Sequence, residues 1–249
     1  MAVLWQREQG GTRYEVRSAG HTRRLYANGV LHSQYNPRRP LTGNLWDLLM
    51  LPAFFLPPGR IRRVLVLGVG GGAVIRQLQH FVAPERIVGV DKDPVHLAVA
   101  RRFFGVTGDG VGLIRADARA WLAAYRGPRF DMIIDDLFGD VDGEPRRAIA
   151  LDEAWSRLLL RRLAPRGVLV ANCVSTRELA GSALAAGPGL RGRPGSVFSL
   201  KTAQNENAVG VFLRFRAGSG DLRRRLRRDP EIAAALAGGR LRYHIRPVR

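Results

Sequence analysis

One cysteine, Cys173, and two lysines, Lys92 and Lys201, are all that 249 residues hold of those two types. A single thiol excludes an internal disulfide framework and a cysteine-rich zinc site. The five histidines are scattered without an i, i+4 pair or a flanking acid cluster, so no metal site is expected. There is no G-x-S-x-G elbow, which leaves serine hydrolase chemistry without support. The longest apolar stretch, Leu45 to Leu56, is interrupted by Asp47 and Pro52 and is too short to cross a bilayer. No charged-then-apolar leader opens the chain, so a cytoplasmic protein with no membrane partner is expected.

What is abundant is arginine. Forty basic residues against 21 acidic ones give a net charge of +19, and nearly all of the positive charge is guanidinium. Such a balance suits a polyanion partner. It also suits a compositional skew with no binding purpose, and the even spread of charge along the chain, densest in the tail, favours that reading over nucleic acid. Apolar residues at 46% and charged residues at 24% are ordinary for a globular domain.

Three regions are expected. Residues 1–59 read as a small β-rich opening followed by a helix. Tyr14–Arg17, Arg23–Tyr26 and Val30–Tyr35 are strand-formers, and Asn28-Gly29 is a hairpin signal. Residues 60–216 alternate buried-strand runs with helical spacing, beginning at Val64–Leu67, and end in an antiparallel hairpin around Gln204–Asn207. That order predicts an α/β fold, a doubly wound, mostly parallel, seven-stranded sheet. Residues 217–249 read as a basic tail whose arginine run, Arg223 to Arg228, faces solvent.

The chemistry clusters at strand ends. Gly68-Val-Gly-Gly-Gly-Ala73 links the first buried strand to a helix, so Gly68, Gly70, Gly71 and Gly72 are candidate ligand contacts. Asp91 ends the second strand, where a carboxylate can accept both hydroxyls of a ribose. Glycine loop plus acid is shared by nicotinamide and S-adenosylmethionine binders. Asp117, after the third strand, can accept from an adenine amino group, with the Ala118 N–H toward a ring nitrogen; capping the next helix is an equally good reason for it. In Phe130–Asp136, strand alternation sends Asp135 and Asp136 to opposite faces at the carboxyl end of a central strand.

These residues together resemble the spermidine synthase family, aminopropyltransferases built on the S-adenosylmethionine methyltransferase fold. The resemblance runs from about Tyr14 to Phe215 and includes Leu25–Val30, Val64–Ala73, Val90-Asp91, Ala116-Asp117-Ala118, Phe130–Asp136 and Leu163–Val170. It implies a class I methyltransferase-like Rossmann sheet. It implies S-adenosylmethionine or its decarboxylated form as the donor, with methylthioadenosine or S-adenosylhomocysteine as product. Asp91 would hold the ribose, Asp117 and Ala118 the adenine, and Asp136 would take a proton from an attacking amine or other small nucleophile. A homodimer is the expected assembly. Two positions depart from the family pattern: Gly71 stands where the glycine loop usually carries an aspartate, and Gly139 where a further acid is usual, with Asp140 displaced by one. An acceptor pocket less negative than that of a putrescine enzyme is therefore expected. The competing readings are a nucleic-acid methyltransferase, a nicotinamide-dependent oxidoreductase and a non-catalytic nucleoside-binding module.

Overall fold

The computed structural model describes residues 1–141, 144–187, 190 and 194–248; at 140, 141, 144 and 145 it describes the backbone alone. Four antiparallel strands open the chain: β1 (Ala2–Gln9), β2 (Thr12–Ala19), β3 (Thr22–Ala27) and β4 (Val30–Tyr35), paired in sequence order. The last three contain the runs read as strands. Asn28 and Gly29 adopt φ of 47° and 80°, the left-handed pair that a type I′ turn requires. β1 is an addition. Its residues are almost all exposed, so no buried alternation marks it in the sequence.

Helix α1 (Leu45–Met50) follows, capped by Asn44 and continued by a 3₁₀ turn, Leu51–Phe55. Then come β5 (Arg63–Leu67), α2 (Ala73–Phe81), β6 (Arg86–Asp91), α3 (Pro94–Phe104), β7 (Val111–Arg115), α4 (Ala118–Ala124) and β8 (Phe130–Asp135). A short hairpin, β9 (Phe138–Val141) with β10 (Glu144–Arg147), precedes α5 (Glu153–Arg162), β11 (Leu163–Cys173), α6 (Thr176–Gly181) and α7 (Ala183–Ala186). The chain closes with β12 (Ser196–Lys201), β13 (Ala208–Leu213), α8 (Ser219–Leu226), α9 (Pro230–Ala237) and β14 (His244–Pro247).

The main sheet has the order β14-β12-β13-β11-β8-β5-β6-β7. The five strands from β11 to β7 run parallel, and β13, β12 and β14 add an antiparallel edge. Alternation along each central strand feeds two cores. Val64, Val66, Met132 and Ile134 pack on one face, and Leu65, Leu67 and Ile133 on the other. The strand order reverses between β5 and β8, and in open α/β sheets ligands bind outside the carboxyl ends of the strands at that switch point.

Two expectations need correction. The sheet has eight strands rather than seven, the eighth being β14 from the tail. That tail is not a solvated appendage either. Leu222, Leu226, Ile232 and Ala235 are fully buried in the larger core, and Ile245 nearly so. The arginines of the run lie mostly on the exposed side of α8 and in the turn after it. Leu222 and Leu226, four residues apart, share the buried side.

Candidate active site

The ends of β5 and β8 meet at the switch point. Gly68 has φ of 83°, and a side chain there would collide with the backbone of Asp136. The Asp136 N–H donates to Leu67 O at 2.9 Å. A glycine is thus required for the two strand ends to approach, whatever binds beside them.

Above this junction lies a cavity of about 790 Å³. Gly68, Gly70, Asp91, Asp117, Ala118 and Asp136 all line it. Gly71 and Gly72 do not. A Cβ at Gly71 would sit 2.7 Å from Phe104 Cζ and 2.8 Å from Ser33 Cβ, and one at Gly72 would strike Val106. Those two glycines let the loop pack against α3 and β4. An aspartate at position 71 has no room without displacing a ring.

Asp91 is nearly buried. Its Oδ2 accepts from the Val69 N–H at 2.9 Å and the Gly70 N–H at 3.1 Å, and lies 3.3 Å from His96 Nδ1. Its Oδ1 accepts from the Asp93 N–H at 2.9 Å. Burial alone would raise its pKa, but His96 and the backbone donors outweigh burial and hold the carboxylate below its usual range. The same contact raises His96, against the opposing pull of burial. A carboxylate offers about four lone-pair sites. Here Oδ2 is taken by three donors, and Oδ1, with one, keeps room for a further donor from the cavity. Replacing Asp91 with Ala removes a charged acceptor worth roughly 1.5–3 kcal/mol, so the Kd for an adenosyl ligand should rise about 10- to 150-fold. A Kd within about twofold of wild type would place the ribose elsewhere.

In the sequence His96 is one of five scattered histidines. Its place in the first turn of α3, five residues after Asp91, is the signal that the sequence offers. Tyr14, legible in the sequence only as a strand residue, donates its hydroxyl to Asp93 Oδ2 at 2.6 Å and brings β2 over the Asp91–Asp93 end of the cavity. Burial and then the Asp93 bond push the phenol up to about 12, so it remains a donor. Asp117 lines the cavity while its Oδ1 accepts from the Ala120 N–H at 2.9 Å, so the capping role is present beside the proposed ligand role.

Asp136 and Asp135 diverge as the strand period requires. Asp135 is fully buried, paired with Arg147 Nη2 at 2.7 Å and with Trp155 Nε1 at 2.8 Å. Arg147 also donates to the backbone oxygen of Asn172. This cation fixes the β9–β10 hairpin, whose flanks Phe138 and Ala148 line the cavity, to the ends of β8 and β11. Replacing Arg147 with Met would leave Asp135 without its counter-charge. Breaking a buried pair on one side costs about 3–5 kcal/mol, so a large fall in melting temperature is expected. A loss under about 1 kcal/mol would show that Trp155 satisfies Asp135 alone.

Asp136 faces the cavity. Asn172 Nδ2 donates to its Oδ1 at 2.8 Å. Burial first, and the neighbouring Asp135 charge, push its pKa up to about 6 against the lowering by Asn172 and Arg147. Asp47, on α1, does not line the cavity, although its neighbours Leu45 and Trp46 do. Its side chain is fully buried, where it accepts from the Thr42 and Gly43 N–H groups and from Gln77 Nε2 at 2.6 Å.

A mostly parallel sheet with a glycine loop, strand-end acids and a cavity at the switch point makes this a methyltransferase-like Rossmann fold. The spermine/spermidine synthase domain pattern matches residues 47–179, more than half of the chain, and the chain belongs to that family. Polyamine aminopropyltransferase 2 of Caldanaerobacter subterraneus subsp. tengcongensis is 33% identical over 109 residues, covering 43% of this chain and 36% of that protein. A probable spermidine synthase from Corynebacterium glutamicum superposes with a TM-score of 0.73 at 19% identity, covering 99% of this chain and 91% of that one. A spermidine synthase in complex with the transition state analogue AdoDATO gives a TM-score of 0.66 at 15% identity, covering 88% and 76%. The chain's matches span about two fifths of the length of the first curated relatives or less.

Proposed function

We propose that this protein transfers an aminopropyl group from decarboxylated S-adenosylmethionine to an amine. One observation carries the reading: a single cavity at the switch point brings Gly68, Gly70, Asp91, Asp117 and Ala118 to the same space as Asp136. The first five suit an adenosyl group. The cavity's acids, which include Asp93, also suit a cationic donor.

The donor supplies a carbon beside a sulfonium, and the C–S electron pair leaves with sulfur as a neutral thioether. The chain's part is to orient and to move one proton. An acceptor amine enters as ammonium; Asp136 takes one proton, and the freed lone pair forms the new C–N bond. A carboxylate raised to about 6 is a better base toward an amine than an ordinary one, yet stays ionised near neutrality. Asn172 holds it in place.

Methyl transfer would use the same nucleoside half with the carboxylated donor. A nucleic-acid acceptor fits poorly, because four carboxylates around the cavity repel a phosphate backbone. Calorimetry with S-adenosylmethionine, its decarboxylated form, methylthioadenosine and NAD, paired with a product assay, tests the proposal. Adenosyl-sulfur ligands should bind and NAD should not, and the decarboxylated donor should yield methylthioadenosine when an amine is present. Tight NAD binding, or methyl transfer alone, would overturn it.

A further inference from the structure

Beyond Asp136 the cavity wall changes character. Asn44, Asn172, Asn205 and Asn207 line it beside Trp46 and Phe138. Their carboxamides are linked. Asn207 Nδ2 donates to Asn172 Oδ1 at 3.0 Å, and Asn172 Nδ2 passes the chain on to Asp136. Asn205 Nδ2 donates to Asn44 Oδ1 at 3.0 Å.

Fixed groups set the amide orientations. An ionised Asp136 can only accept, so Asn172 must turn its NH₂ toward it and its oxygen toward Asn207. The Leu45 N–H donates to Asn44 Oδ1 at 2.7 Å, so that oxygen faces the helix and takes its second bond from Asn205. Among the described side chains, the oxygens of Asn205 and Asn207 are left to accept and the NH₂ of Asn44 to donate. All of these groups are neutral.

The carboxylates near this wall are otherwise committed. Asp91, Asp93 and Asp117 stand at the nucleoside end and hold backbone N–H groups. Asp47 and Asp135 are fully buried and bonded away from the cavity. Glu206, between Asn205 and Asn207, is exposed and does not line the cavity, so among the described side chains Asp136 is the single carboxylate lining it at the amide wall. One carboxylate accommodates one ammonium. A second ammonium against neutral amides loses its water without gaining a counter-charge, which is costly in a confined site. A hydroxyl or carboxamide both donates and accepts, and it matches the amide wall group for group.

Resting on the transferase reading, we infer that the acceptor is a primary amine with a neutral, hydrogen-bonding far end, an amino alcohol or amino amide, rather than a diamine. Calorimetry of the purified chain saturated with methylthioadenosine tests this without turnover. Putrescine is compared with aminobutanol and aminobutyramide, which carry the same amine on a similar chain. The neutral-tailed amines should bind about tenfold tighter or more than putrescine. Asn205→Asp and Asn207→Asp, tested separately, should shift the preference toward putrescine by about the same factor. Putrescine binding as tightly as aminobutanol to the wild type, or no amine binding while methylthioadenosine does, would overturn the inference and leave the nucleoside reading standing. Failure of methylthioadenosine itself to bind would remove the transferase reading and this inference with it.

Discussion

A chain ending after Gly218 should fail to fold. In the sequence this segment reads as a basic tail with a solvent-facing arginine run, but its apolar residues close the larger core. Leu222, Leu226 and Ile232 are fully buried, with Leu241 and Ile245 at 2% and 7% exposure. Each such side chain contributes roughly 1.5–3 kcal/mol on burial. Five together rival the roughly 5–15 kcal/mol that holds a typical domain folded. The backbone pairing of β14 on β12, and the Arg225 guanidinium on Phe55 O at 3.2 Å, are lost as well. Circular dichroism with thermal melting of residues 1–218 checks this. A cooperative melt within a few degrees of the full chain would show that the segment is peripheral.

Asp136→Asn should cut aminopropyl transfer by about a hundred- to ten-thousandfold, the range for loss of a positioned base. Binding of methylthioadenosine should stay within about twofold, because the residues proposed to hold the nucleoside lie in the loop after β5, at the end of β6 and at the start of α4. In the unaltered protein the rate should climb as pH rises through about 6, where Asp136 ionises, and level off above. Stability runs the other way. A carboxyl whose pKa is raised by folding stabilises the protein while protonated, below the unfolded value near 4, and that contribution is lost as pH rises through about 6. The asparagine variant should therefore melt higher than the parent at pH 8 and lose that advantage at pH 4. Unchanged turnover would remove Asp136 as the base. An equal melting difference at both pH values would show that its carboxyl is not the strained group.

The parts of this structure legible in sequence are those set by neighbours along the chain. Buried-strand runs, helical spacing and the Asn28-Gly29 turn leave local signatures, and the α/β alternation follows from the first two. Asp91 and Asp136 were legible as strand-end acids. What stayed hidden depends on contacts between distant segments. Gly71 reads as a ligand-loop glycine until Phe104 and Ser33 are seen against it. Arg147 looks like one more arginine in an arginine-rich chain, yet it lies twelve residues from Asp135 and pairs with it in the interior. The amide wall draws on Asn44, Asn172 and the β12–β13 turn, which only the closed sheet brings together.

The place of β14 also bears on how the protein is made. Translation delivers residues 244–247 after every other strand of the main sheet. Until they emerge, the outer edge of β12 offers unpaired backbone groups from the apolar segment Val197–Leu200, beside a core still missing its last side chains. Such edges recruit other chains. A nascent chain stalled shortly before Leu241 should therefore be a chaperone client, while the finished chain is not.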